Sequence, residues 1–282
     1  MIRHFAFVAA AGLLTACSSA RNYTLAAGPR YAGGVAPDPR TRDILKVVVF
    51  NVQHARHVDR AAALIQQSAA LVDPDILLLQ EMDEPGTRAI ADSLRLSYVY
   101  YPATVSPTTH RDFGNAILSR YPIMDDRKII LPHLARFGHM QREAVGVTIL
   151  IGDRRIRIYS VHLATMAEAG PGARRQQLAA VLADADTFAA VVVGGDFNSG
   201  TVPEIALQQG YTWPTRHLGR TRWLWDVDHV LVKGLSSTAD SAAGMVRNVQ
   251  GASDHRPVWA RFVLPSRVAL GTAPRAGAVR SR

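Results

Sequence analysis

Glu143–Ile151 (EAVGVTILI), the link Gly152-Asp153-Arg154, and Arg155–Leu163 (RIRIYSVHL) together decide the fold. Two apolar runs joined by a short Gly-Asp link read as a β-hairpin. Elsewhere the chain alternates strand-like and helix-like stretches. Direct hairpins combined with crossover helices require mixed sheets rather than one all-parallel sheet. The second arm of the hairpin ends on a polar residue, His162, and that habit recurs along the chain.

Working outward, residues 46–52, 75–81, 97–101, 115–119, 127–131, 190–195, 228–232 and 257–264 also read as strands. Helices are predicted over 58–71, 86–95, 172–187 and 203–209, with Pro74 and Pro203 at element boundaries. No internal repeat is present.

Each apolar run stops on a residue able to bind a metal or a phosphate. Val47–Phe50 ends in Asn51, Ile76–Leu79 in Gln80-Glu81, and Ile158–Val161 in His162. Val191–Val193 leads through two glycines to Asp196 and Asn198, which leave an extended chain on the same face. Asp254-His255 precedes the run that starts at Val258. Singly, Asn51 reads equally as a turn cap, Glu81 as a solvated strand end and His162 as a satisfied core histidine. Together, acids, an amide and an acid–histidine pair at strand edges point to metal-assisted hydrolysis.

The 282 residues suffice for one large core, and 48% hydrophobic with 20% charged residues is a globular composition. The net charge of +9 leaves two readings open, an anionic partner or a solubilising surface. The single cysteine, Cys17, follows Arg3 and an apolar stretch from Phe5 to Leu14. That stretch is too short to span a bilayer but fits a signal-peptide core. Leu14-Thr15-Ala16-Cys17 resembles a bacterial lipoprotein signal, with Cys17 as the lipidated residue; an ordinary secretory signal is the alternative. Ser18 resembles the residue of lipoproteins sent to the outer membrane. The expected organisation is a leader at 1–17, a flexible Gly/Pro-rich tether at 18–43, a folded domain at 44–264 and a basic, disordered tail at 265–282.

Phe50-Asn51-Val52, Leu79-Gln80-Glu81, Gly114-Asn115-Ala116-Ile117-Leu118-Ser119-Arg120, Val161-His162-Leu163, Gly195-Asp196-Phe197-Asn198, Val227-Asp228-His229 and Ser253-Asp254-His255 stand in this order. The ordered set resembles the endonuclease/exonuclease/phosphatase superfamily of metal-dependent phosphoesterases, over roughly residues 46 to 264. The resemblance implies an α/β fold, a four-layer sandwich of two mixed β-sheets packed face to face with helices outside. It implies Mg²⁺ or Mn²⁺ on Glu81, Asn51 and Asp254, and Asp196 as the base for the attacking water. Asn198 would hydrogen-bond that water or the phosphate. His255 would stabilise the phosphoryl oxygens, oriented by Asp228, with His162 as a second phosphate contact. Asn115 and Arg142 are the further phosphate or substrate candidates, although Arg142-Glu143 also reads as a surface ion pair. Gln53 stands where some members carry an Asp that supports the metal.

Trp213, Trp223 and Trp225 interleave with Arg216, Arg220 and Arg222, as a stacking platform or as a cap on the core. His54 and His57 read as solvated loop residues. The expected function is hydrolysis of a phosphodiester or phosphomonoester outside the cytoplasm, at the outer membrane, by a domain tethered through an N-terminal lipid. Nucleic acid, a phospholipid headgroup and a small phosphoester are all open as substrates. No obligate protein partner is expected. A nuclease of the same family and an inactive phospho-ligand-binding lipoprotein are the alternatives.

Overall fold

Val47, Val48, Val49 and Phe50 are apolar without a break because both faces of their strand are covered. Val47 and Val49 join a cluster with Leu78, Val147, Ile158 and Val192. Val48 and Phe50 join another with Leu77, Leu79, Ile65 and Ile90. A strand buried on both faces needs this kind of sequence.

The chain is represented by a computed structural model that describes residues 20–35, 42–237 and 242–264; the leader with Cys17 and the tail 265–282 lie outside these residues. In chain order the elements are β1 (Arg21–Asn22), β2 (Tyr31–Gly34), β3 (Ile44–Asn51), α1 (Val58–Gln67), β4 (Ile76–Met82), α2 (Glu84–Leu94), β5 (Ser97–Val105), β6 (Asp112–Ser119) and β7 (Ile123–Ile130). They continue with β8 (Glu143–Ile151), β9 (Arg154–His162), α3 (Pro171–Ala185), β10 (Val191–Asp196), α4 (Glu204–Leu207), β11 (Asp228–Lys233), β12 (Ser236–Ser237), β13 (Ala243–Met245) and β14 (Val258–Val263).

Among the described residues these strands form two sheets. The first runs β1-β5-β6-β4-β3-β14-β12, with β2 also on β5 and β13 also on β14; the second runs β11-β10-β9-β8-β7. The pairs β3–β4 and β9–β10 are parallel and the others antiparallel, so both sheets are mixed. Helices α1 and α2 cover the first sheet, and α3, through Leu178, Val181 and Leu182, covers the second. This is the four-layer α/β sandwich expected from the sequence. The hairpin is tighter than the sequence reading had it. Ile151 pairs with Arg154, leaving Gly152-Asp153 as the turn, and Gly152 has the positive φ (66°) that a two-residue turn needs at its first position.

One expectation requires correction. Residues 18–43 are not a flexible tether throughout: Arg21–Asn22 pair with Val105–Thr104, and Tyr31–Gly34 with Tyr100–Ser97. These strands take backbone hydrogen bonds from the otherwise free edge of β5. They need no apolar run, and a Gly/Pro-rich composition conceals them. The Ala20 N–H also donates to the Gly138 carbonyl (2.9 Å), and Asn22 Nδ2 to that of His139 (2.7 Å). Described structure therefore begins at Ala20, well ahead of residue 44.

Candidate active site

The polar strand ends meet because register puts them side by side. Asp196, at the end of β10, lies opposite His162 on β9 and Asp228 on β11. Asn51 pairs with Gln80 at the corresponding ends of β3 and β4. Glu81 arrives by a different device. In β4, Leu77 and Leu79 face the helices, so simple alternation would send Glu81 there as well. Instead the ladder slips between Leu79 and Met82, and Glu81 adopts a left-handed φ of 60°. The bulge turns its carboxylate to the Asn51 side chain, and backbone strain of this kind concentrates at functional sites.

Asn51 clamps two carboxylates. Its Nδ2 donates to Glu81 Oε1 and to Asp196 Oδ2, each at 3.1 Å, while its Oδ1 accepts from the Gln53 N–H (3.0 Å). The Asn51 oxygen thus already accepts one hydrogen bond from the turn, which leaves one lone pair for the metal contact that the resemblance implies. His54 is not a free loop residue either. Its N–H donates to Glu81 Oε2 (3.0 Å), and its Nε2 lies 3.5 Å from the same oxygen.

Asp196 is fully buried, and burial pushes its pKa up to about 7; the His255 charge opposes that rise and the Asp228 carboxylate adds to it. Its Oδ2 lies 3.5 Å from His162 Nε2 and 3.7 Å from His255 Nε2. Asn198 holds the acid from behind. Its backbone N–H donates to Asp196 Oδ1 (2.8 Å), and its Nδ2 to the Leu163 carbonyl (2.9 Å). Asn198 thereby also has a positioning role in the turn that carries Asp196, which the sequence reading did not give it. Gly195 makes the approach possible: at its φ of 152°, a Cβ would stand 1.9 Å from the Val161 carbonyl oxygen.

The two histidines are in opposite states. His255 Nδ1 contacts Asp228 Oδ2 at 2.9 Å. Burial lowers its pKa, but Asp228 and Asp196 outweigh that and push it up to about 9, so the ring is cationic. Its Nε2 is buried and has no hydrogen-bond partner. Burial, followed by the Arg142 charge, holds His162 well below the usual histidine range, so it is neutral.

Arg142 is itself buried. Its Nη1 lies 3.1 Å from the His162 ring nitrogens, and its Nη2 donates to both Glu168 oxygens (2.9 and 2.7 Å). The surface ion-pair reading of Arg142-Glu143 is therefore excluded. Glu143 is buried too, with burial raising its pKa well above the ordinary carboxyl range, and it accepts from the Asn115 N–H (2.9 Å). Asn115 Nδ2 donates to the Glu143 carbonyl (2.9 Å), which leaves Oδ1 buried without a partner. Glu168, which sequence reasoning missed, carries no motif; only its position opposite Arg142 reveals it.

Asp254 departs from expectation. Its Oδ2 is held by Arg222 Nε (3.0 Å) and Nη2 (2.9 Å), an ion pair that sequence reasoning did not anticipate. Among the tryptophans, Trp213 caps the core, packed edge-on against His229 at 4.8 Å, whereas Trp223 and Trp225 are exposed. A cavity of about 570 Å³ lined by Lys46, Asp75 and Arg261 lies at the opposite ends of β3, β4 and β14, away from these groups.

Among the described residues, two clusters bring three potential ligand atoms within 4.8 Å of one another: Glu81, His162 and Asp196, and Asp196, Asp228 and His255. The first fits a divalent cation, offering two carboxylate oxygens and a neutral imidazole nitrogen. In the second, Asp228 Oδ2 is already engaged by His255 Nδ1 at 2.9 Å.

The sequence matches the Endonuclease/Exonuclease/phosphatase family over residues 48–255. The chain belongs to this family. Family membership places it on a hydrolase fold. A search of curated proteins finds no match. Among solved structures, an endonuclease/exonuclease/phosphatase from Beutenbergia cavernae is similar at TM-score 0.61 and 19% identity, over 79% of this chain and 72% of that one. The human Nocturnin catalytic domain with bound sulfate is similar at TM-score 0.60 and 19% identity, over 83% and 97%. D. rerio TDP2 complexed with single-strand DNA product is similar at TM-score 0.56 and 18% identity, over 78% and 98%. These likenesses establish the shared endonuclease/exonuclease/phosphatase fold.

Proposed function

We propose that the chain is a divalent-metal-dependent phosphoesterase of the cell envelope, held at the outer membrane by a lipid on Cys17. The observation that carries the catalytic reading is the convergence on Asp196: two imidazoles within 3.7 Å of one carboxylate oxygen, beside Glu81 and Asn51. Glu81, Asp196 and His162 would hold the ion, Mg²⁺ or Mn²⁺, which neutralises charge on the phosphoryl oxygens. Asp196, beside the bound ion, would orient the attacking water and take up its proton. As the new P–O bond forms, the bond to the leaving oxygen breaks. His255 presents a protonated Nε2 to the phosphoryl oxygens or the departing alkoxide, with Asp228 fixing its tautomer and charge. Arg142 sits behind His162 and adds positive potential without needing to leave Glu168.

A nucleic-acid phosphodiester is the second reading, favoured by the net charge of +9 and by the likeness to TDP2 with its DNA product. Purified protein is to be tested on bis-p-nitrophenyl phosphate, p-nitrophenyl phosphate and plasmid DNA, with Mg²⁺, Mn²⁺ or EDTA. Metal-dependent turnover of the diester supports the proposal, and nicking of the plasmid selects the nuclease reading. A folded protein inert on every substrate would leave only a phospho-ligand-binding role.

A further inference from the structure

Large apolar side chains stand in solvent on two sides of the active-site mouth. Phe137 is 71% exposed, with Leu134 and Met166 also exposed nearby in sequence or through the same loop contacts; across the mouth, Trp223 is 73% and Leu224 67% exposed, followed by Trp225. Both groups are attached to the site itself. The Arg136 N–H donates to the Glu168 carbonyl, and the Glu168 side chain holds Arg142. Arg222, next to Trp223, holds Asp254 and bridges to the backbone of His255. The first loop joins β7 to β8 and the second runs into β11, at opposite edges of the second sheet.

Charge and chain path agree on what this rim meets. Of the five arginines in residues 132–142 and 213–225, Arg142, Arg216 and Arg222 are paired with Glu168, Glu204 and Asp254, which leaves Arg136 and Arg220 without a carboxylate at ion-pair distance among the described residues. The backbone of Ala20 is hydrogen-bonded to Gly138, one residue from Phe137. Cys17 lies three residues before Ala20, and three residues reach at most about 11 Å. A lipid on Cys17 would therefore enter the bilayer beside Phe137.

We propose that this rim is a membrane-docking face that seats on an anionic phospholipid surface, with the mouth turned to the headgroups. What happens at the mouth rests on the phosphoesterase reading; the docking does not. Arg136 and Arg220 attract the anionic surface, and the Trp-Leu-Trp tip and Phe137 insert at headgroup level. Leucine and methionine offer no π-face for a base to stack on, which favours lipid over single-stranded nucleic acid.

The test uses the chain from Ser18 to Arg282, which lacks the apolar leader and keeps every described residue. It is sedimented with vesicles of phosphatidylethanolamine plus phosphatidylglycerol, and of phosphatidylcholine alone, while tryptophan emission is recorded. Binding to the anionic vesicles with a blue shift is expected. Phe137→Ser combined with Trp223→Ser is expected to weaken that binding about tenfold or more, with Tm and turnover of soluble bis-p-nitrophenyl phosphate unchanged. The proposal is overturned if the parent chain ignores anionic vesicles, or if the double variant binds them equally well. It is also overturned if the double variant loses affinity for a single-stranded oligonucleotide but keeps its affinity for vesicles. Absence of turnover by the parent chain counts against the phosphoesterase reading alone, because sedimentation reads docking independently.

Discussion

His255 Nδ1 lies 2.9 Å from Asp228 Oδ2, and the two residues belong to different sheets: Asp228 opens β11 in the second, and His255 precedes β14 in the first. This contact keeps His255 cationic. The charged form is present below the folded pKa of about 9 and is lost as pH rises through it. The alkaline limb of kcat/KM is expected near that pH. In Asp228→Asn the limb should move down toward the ordinary histidine value of about 6.5. A limb that stays in place would show that His255 does not need its proton.

Asp196→Asn and Glu81→Gln are expected to lower turnover by about 10²- to 10⁴-fold, the range typical of a positioned proton acceptor or charge stabiliser. Thermal stability should not fall, because each change removes a carboxylate from a crowded acidic cluster. Isothermal titration with Mn²⁺ should show weaker binding in both variants. Undiminished metal affinity in both would remove the Glu81–Asp196–His162 cluster as the cation site.

Glu168→Ala leaves Arg142 buried and unpaired, and breaking a buried pair of this kind costs about 3–5 kcal/mol. Arg142→Met with Glu168→Ala is expected to recover much of that stability but not the activity. Urea melts of the two singles and the double measure the coupling. Strict additivity would mean that the pair contributes nothing as a unit.

Gly194 and Gly195 are adjacent and yet should differ sharply. A methyl at Gly194 meets the side-chain ends of Leu78 and Val49 at 2.7 and 2.8 Å, which can shift at a cost of about 1–3 kcal/mol. At Gly195 it meets the Val161 backbone, which cannot. Gly195→Ala is expected to lose soluble expression or cost upward of about 4 kcal/mol, while Gly194→Ala stays folded. Equal melting temperatures would contradict the close β9–β10 packing.

What was legible in the sequence was what strands and motifs encode locally. The apolar runs placed the long strands to within a few residues, and their polar ends named Asn51, Glu81, His162, Asp196, Asp228 and His255, which the fold brings together. Direction was less legible. Adjacent residues such as Asp254 and His255 look alike as candidates, but Arg222, 32 positions away, takes the first. Glu168 was invisible because its partner is 26 positions distant and no pattern links them. Strands β1 and β2 escaped because they are held by backbone hydrogen bonds to β5, and such bonds leave little mark on side-chain composition.

The place of β14 has a consequence for when the protein becomes competent. This last strand pairs with β3, near the start of the domain, and the loop before it carries His255 to Asp228. A chain that ends between Asp196 and His255 holds Asn51, Glu81 and Asp196 but lacks the cation that faces them. Competence does not accumulate as the polypeptide lengthens. It requires β14 to pair with β3, because that pairing carries His255 to Asp228.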